Sequence, residues 1–136
     1  MKCLVVHGSA TLRRALQNAL RRAGCDDVIA TPDAAQALES CDGSAGALIV
    51  ARELPGTDGL ELVRRVRAGA ACGGTRILMV STRHRPEDVR AAVQAGVDVY
   101  LLEPFSARAL EEKITELLAP VRETGGDENE ERAQAA

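Results

Sequence analysis

The stretch LIVARELPGTDG, residues 48–59, joins a strand, a turn and the start of a helix. The apolar run that ends at Val50 predicts a buried strand, and the letters PGTDG are typical of a turn that leads into a helix. Between the strand and the turn lie Ala51, Arg52 and Glu53, in a loop position that often carries function. Ala51 has no reactive group, so the sequence raises the question of what this loop does.

The rest of the chain repeats the same alternation of apolar runs and helical periods. Four more short apolar runs predict strands, namely CLVV (3–6), VIA (28–30), ILMV (77–80) and VYLL (99–102). Residues typical of helix starts support five helices between and after the strands, at Ser9, Asp33, Asp58, Pro86 and Ser106. Five strands alternating with five helices predict an α/β fold with a doubly wound five-stranded parallel sheet.

Length and charge predict one domain and a polar tail. A chain of 136 residues with 46% hydrophobic composition can bury a single core, which we place in residues 1–120. That part carries 15 basic and 15 acidic side chains, whereas residues 121–136 carry two and five. We expect this acidic tail to be disordered, because it has too little apolar surface to offset the entropy of ordering. It could be a solubilising end or a partner-binding segment.

Composition argues against several classes of protein. We expect a cytoplasmic protein without membrane insertion, because no export signal or membrane-spanning apolar run is present. One Tyr, one Phe and a net charge of −3 argue against nucleic-acid binding. The cysteines lack metal or C-x-x-C spacing and are predicted to be free thiols, with Cys3 in the core; they are Cys3, Cys25, Cys41 and Cys72.

The residues that follow the strands are expected to meet at one edge of the sheet, where ligands of open parallel sheets bind. They are His7, Gly8, Ala51, Arg52, Glu53, Ser81, Thr82, Glu103, Pro104 and Phe105. The sequence around them resembles a CheY-type receiver domain of two-component signalling. The resemblance lies in the order and spacing of three segments, LIVARELPGTDGLELVRRVR, ILMVSTR and AAVQAGVDVYLLEPFSARALEEKITELL. The resemblance covers residues 1 to 119 and implies a flavodoxin-like fold with strand order 2-1-3-4-5.

The resemblance also implies a phosphoryl-accepting site, from which this sequence departs. Such receivers phosphorylate an aspartate at the end of the third strand, and that position is Ala51 here. Two acids after the first strand hold magnesium in the family, and their positions are His7 and Gly8. A lysine that balances phosphate charge is replaced by Glu103. We therefore predict a pseudo-receiver that is not an enzyme and that has no catalytic residue, metal or cofactor.

Other family positions are retained. Ser81 matches the hydroxyl that senses the phosphoryl group, and Tyr100 matches the aromatic residue whose rotamer changes with it. Pro104 matches a proline whose preceding peptide is typically cis in the family, so we expect a cis bond after Glu103. The resemblance thus implies a conserved scaffold around an altered pocket.

Several readings of the altered pocket remain open. His7 could form an imidazolium–carboxylate pair with Glu103, or it could be partly exposed without a partner. Glu53 could join these two residues in a zinc site. Glu53 or Asp58 could also be a displaced phosphoryl acceptor. Neither has the two magnesium-binding acids or the lysine of the family beside it, and Asp58 is expected to cap a helix. Arg52 could enter the space beside Ala51 or point to solvent.

The fourth helix, fifth strand and fifth helix form the surface through which the family meets partners. Here that surface is expected to include Arg83, Arg85, Arg90, Gln94, Val97, Val99, Tyr100 and Arg108. The first functional hypothesis is a phosphorylation-independent module that binds a signalling protein, a scaffold or a second copy of itself, in chemotaxis, motility or a related two-component pathway. The alternative is a sensor that binds a small ligand or metal in the altered crevice.

Overall fold

The computed structural model describes residues 1–41, 44–69 and 74–119. The strands are β1 (Lys2–Val6), β2 (Asp27–Thr31), β3 (Ala45–Ala51), β4 (Glu53–Leu54), β5 (Thr57–Asp58), β6 (Arg76–Ser81) and β7 (Val99–Leu102). The helices are α1 (Ala10–Arg22), α2 (Ala34–Ser40), α3 (Gly59–Ala68), α4 (Pro86–Ala95) and α5 (Ala107–Leu118). The predicted tail and Cys72 lie outside the described residues.

The five long strands form a parallel sheet in the order β2-β1-β3-β6-β7. Numbered among themselves, these strands have the order 2-1-3-4-5, so the predicted doubly wound α/β fold is confirmed. The two-residue strands β4 and β5 form a small antiparallel hairpin, in which Glu53 pairs with Asp58. The sequence predicted only a turn there, because two-residue strands are too short to produce a periodic pattern.

Alternating side chains build one core on each face of the sheet. Along β1, Cys3 and Val5 face the layer formed by α1 and α5, whereas Leu4 and Val6 face the layer that contains α2, α3 and α4. Successive side chains of a strand point to opposite faces, so burial on both sides requires the continuous apolar runs seen in this sequence.

The predicted helix caps are present and fix where each helix leaves the functional edge of the sheet. The Oγ of Ser9 accepts the Leu12 N–H, and the carboxylate of Asp58 accepts the Leu60 N–H. Asp33 and Ser106 cap α2 and α5 in the same way, and Pro86 is the first residue of α4. These caps satisfy N–H groups that have no partner within a helix.

A disulfide joins Cys3 in β1 to Cys25, which follows α1. The prediction of free thiols is therefore wrong for this pair. Their separation of 22 residues gives no local motif, but α1 returns the chain so that Cys25 lies beside the amino end of β1, where both residues are buried. Among the described cysteines, Cys41 is free.

Arg67, near the end of α3, organises the amino end of the sheet. Its guanidinium donates to the carbonyl oxygens of Gly96 and Thr75 and to the carboxylate of Asp98, which also accepts the Ile77 N–H. Gly96 ends α4 with a φ of 112°, a conformation that favours glycine, and a Cβ there would also clash with the Arg67 side chain. Arg67 thus ties α3, β6 and the end of α4 together.

Two further predictions concern the backbone and the membrane. The Glu103–Pro104 peptide bond is cis, as predicted. Across residues 1–41, 44–69 and 74–119, none of the helices has both the length and the apolar composition needed to span a bilayer.

Candidate functional site

The carboxyl ends of β1, β3, β6 and β7 bring the sequence-predicted site residues to one edge. Backbone hydrogen bonds extend beyond these strands, because the Arg52 N–H donates to the Val80 carbonyl and the Glu103 N–H donates to the Ser81 carbonyl. The residues that follow each strand are therefore held in register with their neighbours. This rigid frame positions the side chains described next.

Ala51 lies at the centre of this edge and belongs to the core. It is 3% exposed and packs within the apolar layer on the α3 side. Gly59 allows the start of α3 to approach closely, since a Cβ at that position would clash with the Ala51 carbonyl and the Arg52 Cα. The Ala51 side chain therefore contributes packing and offers no nucleophile.

His7 and Glu103 form a hydrogen-bonded pair across the edge. The His7 Nε2 lies 2.6 Å from the Glu103 Oε1, and the His7 Nδ1 accepts the Ser9 N–H at 3.0 Å. An Nδ1 that accepts a hydrogen bond carries no proton, so Nε2 carries the one donated to Glu103. The pairing of His7 with Glu103, one of the two alternatives considered from the sequence, is thus present, and its geometry favours Nδ1 as the acceptor and Nε2 as the donor.

Glu53 contacts a different loop. Its Oε2 accepts a hydrogen bond from the Ser81 hydroxyl at 3.1 Å, and its Oε1 accepts one from the Thr82 N–H at 3.3 Å. The Arg83 Nε lies 3.9 Å from Oε2. Glu53 was expected to be a possible metal ligand or phosphoryl acceptor, whereas these partners give no local signal in the sequence because they are about 28 residues away.

Arg52 is buried, so of the two alternatives considered for it the one that points to solvent is wrong. Its Nη1 donates to the Asp88 carbonyl in the first turns of α4 at 3.2 Å, and its Nε lies 3.8 Å from the Asp58 carboxylate. The Nε itself has no hydrogen-bond partner in the described structure. Arg52 thus connects the end of β3 to α4.

Tyr100 lies half-buried on the α4 side of β7. Its hydroxyl donates to the Arg83 carbonyl at 2.7 Å, and the Arg83 N–H donates to the Ser81 Oγ at 3.0 Å. Both predicted switch positions, Ser81 and Tyr100, therefore contact the same residue of the β6–α4 loop, Arg83.

Most of the predicted partner surface is exposed, with two corrections. The exposed members are Arg83, Arg85, Arg90, Gln94 and Arg108, and His84 is exposed beside them. Val97 and Val99 are each only 7% exposed, because Val97 joins the core on the α4 side and Val99 faces α5. Val93 in α4 and Leu102, the last residue of β7, are exposed large hydrophobic side chains.

The edge does not fit a magnesium ion. Magnesium prefers an octahedral set of oxygen ligands, but the two positions that carry acids in the family are an imidazole, His7, and a residue without a side chain, Gly8. The carboxylates of Glu103 and Glu53 already accept hydrogen bonds from protein donors. Within the described residues, no group of three or more His, Cys, Asp or Glu side chains could hold a metal.

Comparisons with known proteins agree with the fold. The family model described as the response regulator receiver domain matches residues 3–115. The chemotaxis protein CheY1 of Helicobacter pylori is 36% identical over 120 residues, which cover 87% of this chain and 97% of that protein. A CheY homolog of Campylobacter jejuni is 38% identical over 120 residues, covering 87% and 92%.

A solved structure gives the same result. The chemotaxis response regulator CheY4 of Vibrio cholerae superposes with a TM-score of 0.77 at 28% identity, covering 86% of this chain and 98% of that one. Since the family model matches most of the chain and the relatives from Helicobacter pylori and Campylobacter jejuni share more than a third of their residues with it, the chain belongs to the response regulator receiver domain family.

Proposed function

We propose that this receiver domain acts without aspartyl phosphorylation, as a cytoplasmic protein-interaction module in a chemotaxis or other two-component pathway. The observation that carries the proposal is Ala51, a core methyl group at the end of the third strand of the sheet, where the family resemblance places the phosphoryl acceptor. A methyl group cannot attack a phosphodonor.

The surrounding residues support the same conclusion. The resemblance expects a lysine where Glu103 stands, and the carboxylate of Glu103 would repel rather than balance a phosphoryl group. His7 occupies one of the family's acid positions and donates to Glu103. The pocket therefore lacks the nucleophile, the cation ligands and the positive charge that phosphoryl transfer needs.

Interaction is proposed to occur through α4, β7 and α5. This face carries the exposed arginines Arg83, Arg85 and Arg90, together with the partly exposed Tyr100. An aromatic side chain beside arginines is a common composition for interface hot spots. A signalling protein or a scaffold is the expected partner, and a second copy of the chain is the alternative.

The test is an amide NMR spectrum of the full chain with magnesium, before and after addition of beryllofluoride, a phosphoryl mimic. We expect no saturable shift at Ala51, Ser81, Thr82 or Tyr100. A saturable shift centred on Glu53 and Ser81 would contradict the proposal, since it would mean that the pocket still binds an anion and a metal. A receiver with an intact acid pocket, measured in parallel, is the positive control.

The competing hypothesis, a small-ligand sensor, has a place to bind. A cleft of about 280 Å³ at this edge is lined by Leu12, Thr82, Glu103, Pro104 and Phe105. Thermal shifts with nucleotides, inorganic phosphate and zinc separate the two functions. No response supports the interaction module, and a saturable stabilisation by one of these compounds would favour the sensor.

A further inference from the structure

We propose that Glu53 is a built-in anion that holds the β6–α4 loop and Tyr100 in one arrangement, and so fixes the conformation of the interaction face without any added group. This inference rests on the proposed function, because it assumes that the face including Arg83 and Tyr100 binds a partner. Glu53 is a positioning residue in this proposal and acts through Ser81 and Thr82.

The first step is the way in which the carboxylate is held. Both of its oxygens accept hydrogen bonds from the β6–α4 loop, Oε2 from the Ser81 hydroxyl at 3.1 Å and Oε1 from the Thr82 N–H at 3.3 Å and hydroxyl at 3.4 Å. The Arg83 guanidinium lies 3.9 Å away and offsets the negative charge. An ionised carboxylate only accepts hydrogen bonds, so it suits this set of donors.

The second step leads from Ser81 to Tyr100. A serine hydroxyl has a single proton, and when Ser81 donates it to Glu53 its lone pairs remain free to accept the Arg83 N–H at 3.0 Å. The carbonyl of Arg83 in turn accepts the Tyr100 hydroxyl at 2.7 Å. The charge on Glu53 therefore orients the Ser81 hydroxyl. The Ser81 oxygen positions the backbone of Arg83 through its N–H, and the Arg83 carbonyl holds the phenol ring of Tyr100.

The third step is that the backbone of Glu53 is held in place by neighbouring contacts. Glu53 pairs with Asp58 in the β4–β5 hairpin, and Asp58 caps α3 through the Leu60 N–H. The preceding residue, Arg52, reaches the Asp88 carbonyl in α4. A side chain held by such a frame keeps its partners in one geometry better than one on a free loop.

The chain provides its own reporter for this arrangement. It contains one Tyr and no Trp, so its tyrosine emission comes from Tyr100 alone. The variants are Glu53→Gln, which keeps the side-chain shape without the charge, and Glu53→Ala. Glu61→Gln is the matched control, because the Glu61 side chain is 50% exposed against 45% for Glu53 and contacts arginines of its own helix.

We expect Glu53→Ala to increase acrylamide quenching of Tyr100 roughly twofold as the phenol leaves its half-buried position. The Thr82 and Arg83 amide resonances should move in both Glu53 variants and stay in place in Glu61→Gln. Ser81→Ala should reproduce the change, and adding it to Glu53→Ala should have little further effect, because both act through one contact.

The proposal is overturned if the quenching and the two amide positions in Glu53→Gln match those of Glu61→Gln while far-ultraviolet circular dichroism shows a folded protein. The isosteric Gln variant keeps the test valid should Glu53→Ala fail to fold. No partner or phosphoryl mimic enters this measurement, so its failure is distinguishable from a saturable beryllofluoride shift, which would overturn the proposed function instead.

Discussion

The two ends of the parallel sheet are held by different kinds of polar contact. At the amino end, Arg67 donates to the backbone carbonyls of Gly96 and Thr75, and a disulfide links β1 to the segment after α1. At the carboxyl end, Arg52 and Tyr100 also donate to backbone carbonyls, but the pairs His7–Glu103 and Ser81–Glu53 join two side chains from separate segments. A backbone carbonyl is present whichever residue occupies a position, whereas a contact between two side chains is lost when either residue is substituted. The contacts at the carboxyl end therefore depend more on the identity of the side chains.

The largest expected effect is at the amino end. Reduction of the Cys3–Cys25 disulfide should lower the free energy of unfolding by about 3 kcal/mol, because the bond closes a loop with a sequence separation of 22 and restricts the unfolded chain. Urea denaturation with and without a reductant measures this. Cys3→Ala should be insensitive to the reductant, and Cys41→Ser should keep the full response. Equal stability of wild type in both conditions would contradict the structural role given to the bond.

The next effect concerns Arg67. Arg67→Ala removes the donors to Gly96, Thr75 and Asp98, so we expect a loss of about 2 kcal/mol, as for hydrogen bonds made by a charged group. Arg65→Ala is the control, since Arg65 is largely exposed and pairs only with Glu61 on its own helix among the described contacts, and it should cost less than about 0.5 kcal/mol. Similar denaturation midpoints for the two variants would contradict the larger contribution expected of the partly buried Arg67.

A smaller effect is expected at the carboxyl end. His7→Phe keeps an aromatic ring but removes the donor to Glu103, which should cost about 1 kcal/mol. Nitrogen-15 spectra of the wild type should show His7 as the Nε2-protonated tautomer, with exposed His84 as an internal comparison. A protonated Nδ1 on His7 would be incompatible with the hydrogen bond from the Ser9 N–H.

The smallest effect is expected at Arg52, the buried arginine of the carboxyl end. Arg52→Met should change the free energy of unfolding by less than about 1 kcal/mol, because the cost of burying a charge with an unpaired Nε offsets the single bond to the Asp88 carbonyl. Comparison with Arg67→Met in the same denaturation series measures how much more a guanidinium with several hydrogen-bond acceptors contributes to the free energy of unfolding. A loss at Arg52 equal to that at Arg67 would show that the two ends do not differ in this way.

The sequence predicted the alternation of strands and helices because apolar runs, helix caps and turns are local signals, whereas the strand order was implied only by the resemblance to receiver domains. It also predicted that His7, Ala51, Ser81 and Glu103 share one edge, since parallel strands end together. It could not predict that Glu53 binds Ser81, that Arg52 turns toward α4, or that Cys3 meets Cys25. Each of these contacts depends on where a flexible side chain or a distant segment comes to rest, and no spacing along the chain encodes that position.

The burial of Ala51 has a consequence for redesign of this edge. An aspartate introduced there alone would place a carboxylate at a position that is 3% exposed, within the apolar layer on the α3 side. An unpaired buried charge is strongly destabilising, so we expect Ala51→Asp alone to lower the free energy of unfolding. The packing around this methyl group therefore opposes the installation of a carboxylate at this position by a single substitution.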